Sequence, residues 1–308
     1  MIEPVGIAVV GVGAIGGVCA ASLARAGREP ICCVRTPFAE LVLERGDDVQ
    51  RFAPRVEILP ARVAEVAWVL LATKAQQTEG AAGWLRALVD HETRVAVLQN
   101  GVEHVARVAP YVDPARVVPV VVACPATAVS PGRIVQRRAA TFTVPDDAGG
   151  AAFAALFDGT DVTVERTHDW PTAAWRKLCL NVTGGALAAL AGVPLPDARH
   201  PRLRELAHML AHECARVARA AGADVSDAFA ADVAEQAVSA PTGGAPSTLT
   251  DRLHRRPLEV DARNGTVVRL GARHGIATPA NTRAAALMAR AHLDPSIDML
   301  PELATLAP

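Results

Sequence analysis

The feature that most constrains this chain is its glycine-rich opening. A short apolar run over residues 7–10 leads directly into Gly11-Val12-Gly13-Ala14-Ile15-Gly16. A strand followed by such a turn and a helix is the setting in which this glycine pattern binds a dinucleotide. Gly11 permits the tight turn, Gly13 lets the backbone approach a pyrophosphate, and Gly16 lets the helix pack closely on the sheet.

The residues after the turn indicate which dinucleotide binds. The helix that begins near Ala14 and Ile15 directs free N–H groups and its positive dipole end towards the phosphates. The next apolar run, over residues 31–34, ends at Arg35. An NAD site usually carries an acid at this position, whereas an arginine suits the 2′-phosphate of NADP(H). The sequence therefore predicts an NADP(H) site, and the alternative is a glycine-rich turn in another α/β fold.

Composition excludes several classes of protein. The 308 residues are 51% hydrophobic and 20% charged with a formal net charge of −1, and no basic block suggests nucleic acid or an anionic membrane as a partner. The uncharged stretch 4–23 contains five glycines and follows an acid, so we interpret it as neither a signal peptide nor a membrane span. The uncharged stretch 178–196 contains polar residues, glycines and prolines that suit a bilayer-spanning helix poorly, so we interpret it as a buried core helix.

Cysteine and histidine spacing point to a reducing compartment and to no metal. None of the six cysteines forms a C-x-x-C pair, so core packing in a cytoplasmic protein is favoured over disulfide or redox roles. His208 and His212 are four residues apart, a spacing that zinc can use, but no third ligand is evident. We therefore interpret this pair as part of a solvated helix face.

Hydrophobic patterning divides the chain near residue 168. Buried-looking strands and helices alternate up to that point, which predicts a doubly wound parallel sheet, and only helices follow, so we predict an α/β domain over 1–168 and an all-helical domain over 169–308. The α/β half is predicted to contain strands at 68–72, 94–98, 117–123 and 162–164, helices at 38–45 and 76–89, edge strands within 49–63, and an antiparallel appendage formed by 133–136 and 141–144. The helical half is predicted to contain helices at 170–191, 201–221, 226–239, 257–274 and 281–292.

Three polar groups stand where predicted strands end. Arg35, Lys74 and Asn100 each follow an apolar run. Ligands of doubly wound sheets bind outside the carboxyl ends of the strands, so these side chains are candidate ligand contacts. The alternative is that they are solvated loop residues.

The helical half offers a second set of candidates. Lys177 and Asn181 share one otherwise apolar helix face, where a lysine is used, paired, or extended out to solvent. A lysine beside a bound 2-oxo acid can stabilise a developing alkoxide and donate its proton. Ser247, in a predicted loop after Gly243-Gly244, can bind a carboxylate. Glu259 has the spacing of a surface salt bridge with a residue four positions later, Arg263.

Taken together, these residues resemble the ketopantoate reductases (2-dehydropantoate 2-reductases) over essentially the whole chain. The resemblance is carried by the opening glycine motif with Arg35, by Thr73-Lys74, by Gln99-Asn100-Gly101, by Trp175-Arg176-Lys177-Leu178 with Asn181, and by Ser247, Asp251, Glu259, Asp261, Asn264 and Gly265 followed by Gly275-Ile276-Ala277-Thr278-Pro279.

The resemblance implies a Rossmann domain joined to a helical domain, with the active site in the cleft between them. It implies reduction of 2-dehydropantoate by NADPH, a step of pantothenate biosynthesis, in a possible homodimer. Lys177 would be the general acid, Asn100 and Asn181 would position substrate and lysine, Ser247 would hold the carboxylate, and Glu259 would bind the hydroxyl end of the substrate or orient Lys177. Lys74 and Asn100 would also contact the cofactor.

Three positions depart from the family pattern. Gly185 stands where members often carry a second asparagine, Pro246-Ser247-Thr248 replaces a common Ser-Ser-Met, and Arg137-Arg138-Ala139-Ala140 lacks a common histidine-glycine pattern. Two alternatives therefore stay open: a reductase of a different branched 2-oxo acid, and a non-catalytic NADP(H)-binding regulator.

Overall fold

The computed structural model describes residues 6–198, 200–239 and 245–305. The chain divides into two compact units. The first comprises residues 1–99 and 103–170, and the second comprises residues 100–102 and 171–308. The short segment 100–102, which carries Asn100, therefore packs with the second unit, although the chain on both sides of it belongs to the first. The predicted break at Gly243-Gly244 lies outside the described residues.

The first unit contains thirteen described strands and four described α-helices. In chain order they are β1 (Ile7–Val10), α1 (Ala14–Arg25), β2 (Ile31–Cys33), β3 (Leu41–Arg45), β4 (Asp48–Phe52), β5 (Val56–Glu57), β6 (Trp68–Leu71), α2 (Ala82–Leu88), β7 (Arg94–Val97), α3 (His104–Val108), β8 (Val117–Pro119), β9 (Val121–Ala123), β10 (Ala126–Ser130), β11 (Arg133–Gln136), β12 (Thr141–Pro145), α4 (Ala148–Leu156) and β13 (Thr163–Thr167).

Six of these strands form the main sheet, in the order β5-β2-β1-β6-β7-β8. All five pairings are parallel. The strand order reverses between β1 and β6, which is the switch point where a doubly wound sheet binds its ligand. The predicted α/β fold with a doubly wound sheet is confirmed.

The main sheet is buried on both faces because successive side chains of a strand point to opposite sides. Val9 and Leu70 belong to one apolar cluster, together with residues of α1 and α4. Their neighbours Val10 and Leu71 belong to the other, together with residues of α2 and α3. A strand that is covered on both faces has a nearly continuous apolar sequence, and this signal is what identified these strands in the sequence.

Two smaller sheets overturn three local predictions. Residues 41–45 form β3 instead of part of a helix, because they pair with β4 through the two-residue turn at Gly46 (φ 59°) and with β11. The predicted strand 117–123 is two strands in different sheets. β11 and β12 do not form the predicted antiparallel appendage, because β11 joins the sheet β10-β11-β3-β4 and β12 joins β13-β12-β9.

The second unit is helical over its described residues. In chain order its helices are α5 (Trp170–Leu180), α6 (Ala186–Ala191), α7 (Leu203–Ala220), α8 (Asp227–Ser239), α9 (Ser247–Leu253), α10 (Asn264–Arg273), α11 (Pro279–Ala291) and α12 (Leu300–Ala304). One apolar cluster joins them, and it is rich in the alanine and leucine of α6 and α7. None of the described helices is both long and apolar enough to span a membrane.

Three details of the helical half differ from prediction. The helix expected over 170–191 is interrupted by a π-helical turn, Asn181–Gly185. The helix expected over 257–274 begins only at Asn264. Ser247 opens α9, where a loop was expected. Each of these differences falls on a predicted site residue or beside one.

Candidate functional site

The glycine turn in the first unit has the shape that a dinucleotide needs. Gly11 has a φ of 91°, and a Cβ there would lie 2.8 Å from Thr73 Cγ2, at the end of β6. A Cβ on Gly16 would lie 2.1 Å from the Gly11 carbonyl oxygen. A Cβ on Gly13 would meet no described atom within 4 Å. Gly11 and Gly16 therefore hold the turn itself together, whereas Gly13 leaves open space above it.

Helix α1 begins at Ala14, and its N-terminus is available to an anion. Gly13 occupies the N-cap position, and within the described residues no side chain caps the helix and no acid lies in its first turn. The first N–H groups of a helix lack partners within the helix, and together with the helix dipole they attract phosphate. Ile15 lies in this first turn. The residues present therefore fit a dinucleotide pyrophosphate.

Arg35 and Lys74 lie at the same carboxyl edge of the sheet. Arg35 is exposed and follows β2 by two residues, while Lys74 is half-buried and follows β6. Both strands are direct neighbours of β1. The side chain of Gln99, a residue outside the predicted set, donates to Thr73 Oγ1 at 3.1 Å and so ties the end of β7 to the end of β6. This edge therefore presents two cations beside the glycine turn.

The second unit joins four of the predicted catalytic and substrate residues in one hydrogen-bond network. Asn100 donates from Nδ2 to Glu259 Oε2 at 2.8 Å, although 159 positions separate the two residues. Asn181 donates from Nδ2 to Asn100 Oδ1 at 3.3 Å. Arg263 donates from Nη2 to the same Glu259 oxygen and to Ser247 Oγ, both at 3.0 Å.

The interpretation of Glu259 and Arg263 as a surface salt bridge is wrong. The Glu259 and Arg263 side chains are only 5% and 2% exposed. They lie in the irregular segment before α10, with Arg263 at the N-cap position, so their spacing does not place them on a solvated helix face. A second Arg263 nitrogen, Nη1, donates to Thr248 Oγ1 on α9.

Lys177 is half-buried on α5. Burial lowers the pKa of its ammonium group below the ordinary value, and the positive charge of Arg263 lowers this pKa further. Within the described part of the chain its ammonium makes no hydrogen bond or ion pair. A lysine in this state is a stronger acid than a solvated one, and its protons are available to a ligand.

The π-helical turn is held by a buried polar network that the sequence did not reveal. Asn264 donates from Nδ2 to the Val182 carbonyl at 3.2 Å and to Asn281 Oδ1 at 3.0 Å. Asn281 in turn donates to Glu213 Oε2 at 2.9 Å. Single-turn π segments often occur at functional sites, and here the turn begins with Asn181.

The structure also locates Gly185, the main departure from the family pattern. A Cβ at this position would lie 3.4 Å from Thr248 Oγ1 and 3.6 Å from Arg263 Nη1. These are ordinary contact distances, so the Arg263 guanidinium lies directly beside the glycine. Sequence spacing identified neither Arg263 nor Thr248 as a site residue.

The histidine pair and the cysteines that the sequence raised as candidates lie in ordinary structural surroundings. The His208 and His212 rings stack with centroids 5.8 Å apart, and the side chains face Glu235 and Asp227 respectively. No group of three or more possible metal ligands occurs among the described residues. All six cysteines are free thiols, and burial raises the pKa of Cys32 to about 12.

Comparison with known proteins agrees with this geometry. The family described as "Ketopantoate reductase PanE/ApbA" matches residues 7–149, and its C-terminal counterpart matches residues 169–292. The chain is 44% identical over 288 residues to a 2-dehydropantoate 2-reductase of Caulobacter vibrioides, covering 93% of this chain and 99% of the relative. It is 40% identical to that of Mycobacterium tuberculosis, covering 93% and 97%.

The chain belongs to the ketopantoate reductase family.

Solved structures extend the similarity to the fold. A PanE/ApbA family ketopantoate reductase from Ralstonia eutropha superposes with a TM-score of 0.85 at 27% identity, covering 95% of this chain and 100% of that one. A D-mandelate dehydrogenase, in a ternary structure with NADH and anilino(oxo)acetate, also reaches a TM-score of 0.85, covering 95% of this chain and 99% of that one. Its identity is 20%, so it shows the fold alone. The predicted family and the predicted class of oxidoreductase are confirmed.

Proposed function

We propose that this protein reduces 2-dehydropantoate to pantoate with NADPH. The observation that carries the proposal is the cluster in the second unit, where Asn100, Asn181, Glu259 and Ser247 are linked by hydrogen bonds and Lys177 has available protons. Members of this family use NADPH, as Arg35 predicts. In domain terms, residues 1–168 serve the cofactor and residues 169–308 the substrate, with Asn100 contributed to the second group by its own short segment.

NADPH, when bound, supplies the hydride that adds to the ketone carbon of the substrate. Its pyrophosphate suits the space above Gly13 and the N–H groups at Ala14 and Ile15. Arg35 pairs with the 2′-phosphate through charge-assisted hydrogen bonds, whose bidentate geometry a lysine does not reproduce and which an acid cannot form. Lys74 adds a second cation at the same edge of the sheet.

Lys177 acts as the general acid. The ketone oxygen gains negative charge as the hydride arrives, and the ammonium group stabilises that charge and then transfers its proton to the oxygen. Burial and Arg263 both lower the pKa of Lys177 and so strengthen it as a proton donor. Asn181, one turn from the lysine on the chain, and Asn100 orient the reacting groups.

The other end of the substrate is held by Ser247 and Glu259. The hydroxyl of Ser247 is exposed and donates to the substrate carboxylate. Glu259, whose Oε2 already accepts from Asn100, accepts from the substrate hydroxyl or orients Lys177 through Asn100. Each of these roles uses a group that the network holds in place before substrate arrives.

Steady-state kinetics with purified protein tests the proposal. NADPH oxidation is followed with 2-dehydropantoate, 2-oxoisovalerate, pyruvate and benzoylformate, and the product is identified by chromatography against authentic pantoate. We expect the highest kcat/KM with 2-dehydropantoate. A higher kcat/KM with another acid would favour the alternative, a reductase of a different branched 2-oxo acid. Gly185, which stands where family members often carry an asparagine, is the reason for testing that alternative. NADPH binding with no turnover of any acid would favour the regulator.

Two further properties belong to this proposal. We propose a cytoplasmic location, because six free cysteines, five of them buried, suit a reducing compartment. We also propose a homodimer, since a structural relative from Staphylococcus aureus is described as a dimeric ketopantoate reductase. Sedimentation velocity of the purified chain distinguishes a dimer from a monomer.

A further inference from the structure

Arg263 is a fully buried cation that the mechanism above does not use as a substrate contact. Its guanidinium is 2% exposed and donates to Glu259, Ser247 and Thr248. A buried ion pair is a weak source of stability, because desolvation of both charges offsets their attraction. The net stability of the ion pair alone therefore does not explain why an arginine lies beside the predicted substrate residues.

Arg252 provides a contrast within the same unit. It is also completely buried, but the bonds described for its guanidinium go to backbone carbonyls, among them Ala189, Leu190 and Ala291. These contacts close the ends of helices α6 and α11, which is a structural role. Arg263 differs because all of its described side-chain partners are side chains, and two of them are predicted substrate residues.

The contact with Ser247 fixes what the serine hydroxyl can do. A hydroxyl has one proton to donate and two lone pairs that accept. Arg263 Nη2 donates to Ser247 Oγ and so occupies a lone pair. Within the described residues the proton of this exposed hydroxyl has no acceptor. The guanidinium therefore leaves Ser247 as a donor towards a ligand and polarises that donor with its positive charge.

The contact with Glu259 removes an electrostatic obstacle. Glu259 and the carboxylate of a 2-oxo acid are both negative, and like charges in a partly dehydrated site repel strongly. Arg263 lies 3.0 Å from Glu259 Oε2 and neutralises it. The same guanidinium reaches both Glu259 and Ser247 through Nη2, so neutralisation of the acid and orientation of the serine depend on one group.

The space that the guanidinium occupies is provided by Gly185. A Cβ on this glycine would lie 3.6 Å from Arg263 Nη1 and 3.4 Å from Thr248 Oγ1. These are ordinary contact distances, so the guanidinium and the Thr248 hydroxyl are the groups that a side chain at this position would meet first.

We propose that Arg263 is a positioning residue that makes the site selective for anionic 2-oxo acids, acting through the Ser247 hydroxyl and by neutralising Glu259. The inference rests on the proposed reductase function. It identifies a specificity determinant that lies behind the substrate contacts and does not touch the substrate.

The test compares an acid with its uncharged isostere. The kinetic constants for 2-dehydropantoate and for its primary amide are measured with wild-type protein, Arg263→Met and Arg263→Lys. We expect Arg263→Met to lower kcat/KM for the acid by about 10- to 100-fold, mainly through KM, because ground-state binding of the anion is lost. A change in the acidity of Lys177 affects both substrates alike, whereas the loss of anion binding affects only the acid. The value for the amide should therefore fall at least about tenfold less than the value for the acid, and Arg263→Lys should recover part of the loss for the acid.

Two controls separate this role from a structural one. Arg252→Lys alters an equally buried arginine and should lower the melting temperature without changing the ratio of acid to amide. Ser247→Ala combined with Arg263→Met should cost less than the product of the two single losses, because the arginine acts partly through the serine.

Several results would overturn the inference. An equal fall of acid and amide in Arg263→Met would show a purely structural role. If Arg263→Met does not fold, Arg263→Lys is used in its place. An unchanged ratio of acid to amide kcat/KM in this variant, together with a loss in Ser247→Ala/Arg263→Lys equal to the product of the two single losses, would also show a purely structural role. Wild-type protein that fails to reduce the acid contradicts the proposed function instead, so the two failures are distinguishable.

Discussion

Replacement of Lys177 by methionine should move stability and activity in opposite directions. The pKa of Lys177 is lowered first by burial and then by the charge of Arg263. The folded protein therefore holds this ammonium less favourably than the unfolded chain does. Methionine keeps the length and apolar stem of the side chain and removes the charge, so it relieves this cost and also removes the proposed proton donor.

The two effects have different magnitudes. Loss of a general acid together with an electrostatic contact should reduce kcat by about 10²- to 10⁴-fold, or about 3–5 kcal/mol of transition-state stabilisation. Removal of a functional residue that is unfavourable in the fold should raise the free energy of unfolding by about 0.5–2 kcal/mol. NADPH affinity should be unchanged, because the glycine turn and Arg35 belong to the other unit.

The pH dependence gives an independent check. Because the folded pKa of Lys177 lies below its unfolded value, the unfolded chain binds more protons between these two values, and wild-type stability rises with pH across that window. The advantage of Lys177→Met should therefore be largest below the folded pKa and disappear above the unfolded value near 10.4. The wild-type reduction rate should fall as pH rises through the lowered pKa, because only the protonated lysine is an acid.

The assays are kcat from NADPH oxidation, cofactor affinity by fluorescence titration, and urea unfolding at several pH values. A variant that keeps more than about a tenth of wild-type kcat while chemistry is rate-limiting would exclude Lys177 as the acid. A variant less stable than wild type at neutral pH would show that the ammonium has a stabilising partner, contrary to the structure.

Three further predictions concern the first unit. Arg35→Ala should weaken NADPH binding by about 1.5–3 kcal/mol and leave NADH binding nearly unchanged, and titration with both cofactors would refute the 2′-phosphate role if both weakened equally. Gly13→Ala should fold like wild type but bind NADPH poorly. Gly16→Ala should lower the melting temperature, because its Cβ would lie 2.1 Å from the Gly11 carbonyl oxygen. Equal melting temperatures of the two variants would contradict this prediction. Burial lowers the pKa of His104 to about 4. Acidification from the unfolded pKa near 6.5 down to this value should therefore lower the free energy of unfolding by about 3 kcal/mol. His104→Gln should show a correspondingly smaller decrease over the same pH range in urea unfolding.

The sequence revealed those parts of the fold whose signals are local. The central strands β1, β6 and β7 of the main sheet are almost entirely apolar because helices cover both faces of the sheet, so no long-range information was needed to find them. The helix predicted over residues 38–45 is wrong, although Phe38, Leu41 and Val42 have helical spacing. Residues 41–45 form β3 instead. The strand that they actually form depends on β11, about ninety positions away, and on the turn at Gly46.

The site followed the same rule. The identities of Lys177, Asn100, Asn181 and Glu259 could be proposed from residue type and from the family resemblance, but their connections could not. Asn100 reaches Glu259 across 159 positions of sequence, and no periodicity encodes such a contact. Glu259 and Arg263 are four residues apart, as a surface salt bridge requires, but they lie outside a helix and are buried. Arg263 packs against α9, which is nearby in sequence, and beside Gly185 of the π-helical turn, which is almost eighty positions earlier.

The charges of this cluster suggest how binding and release are balanced. Lys177 and Arg263 are positive and Glu259 is negative, so these three side chains carry one net positive charge before the reaction, which a monoanionic 2-oxo acid neutralises. In the proposed reaction, transfer of the Lys177 proton to the substrate removes that positive charge while the product keeps its carboxylate. The attraction that held the substrate is therefore weakest immediately after reduction. Reprotonation of Lys177 from solvent then restores a site that attracts the next anion, and the lowered pKa of this lysine limits that step at high pH.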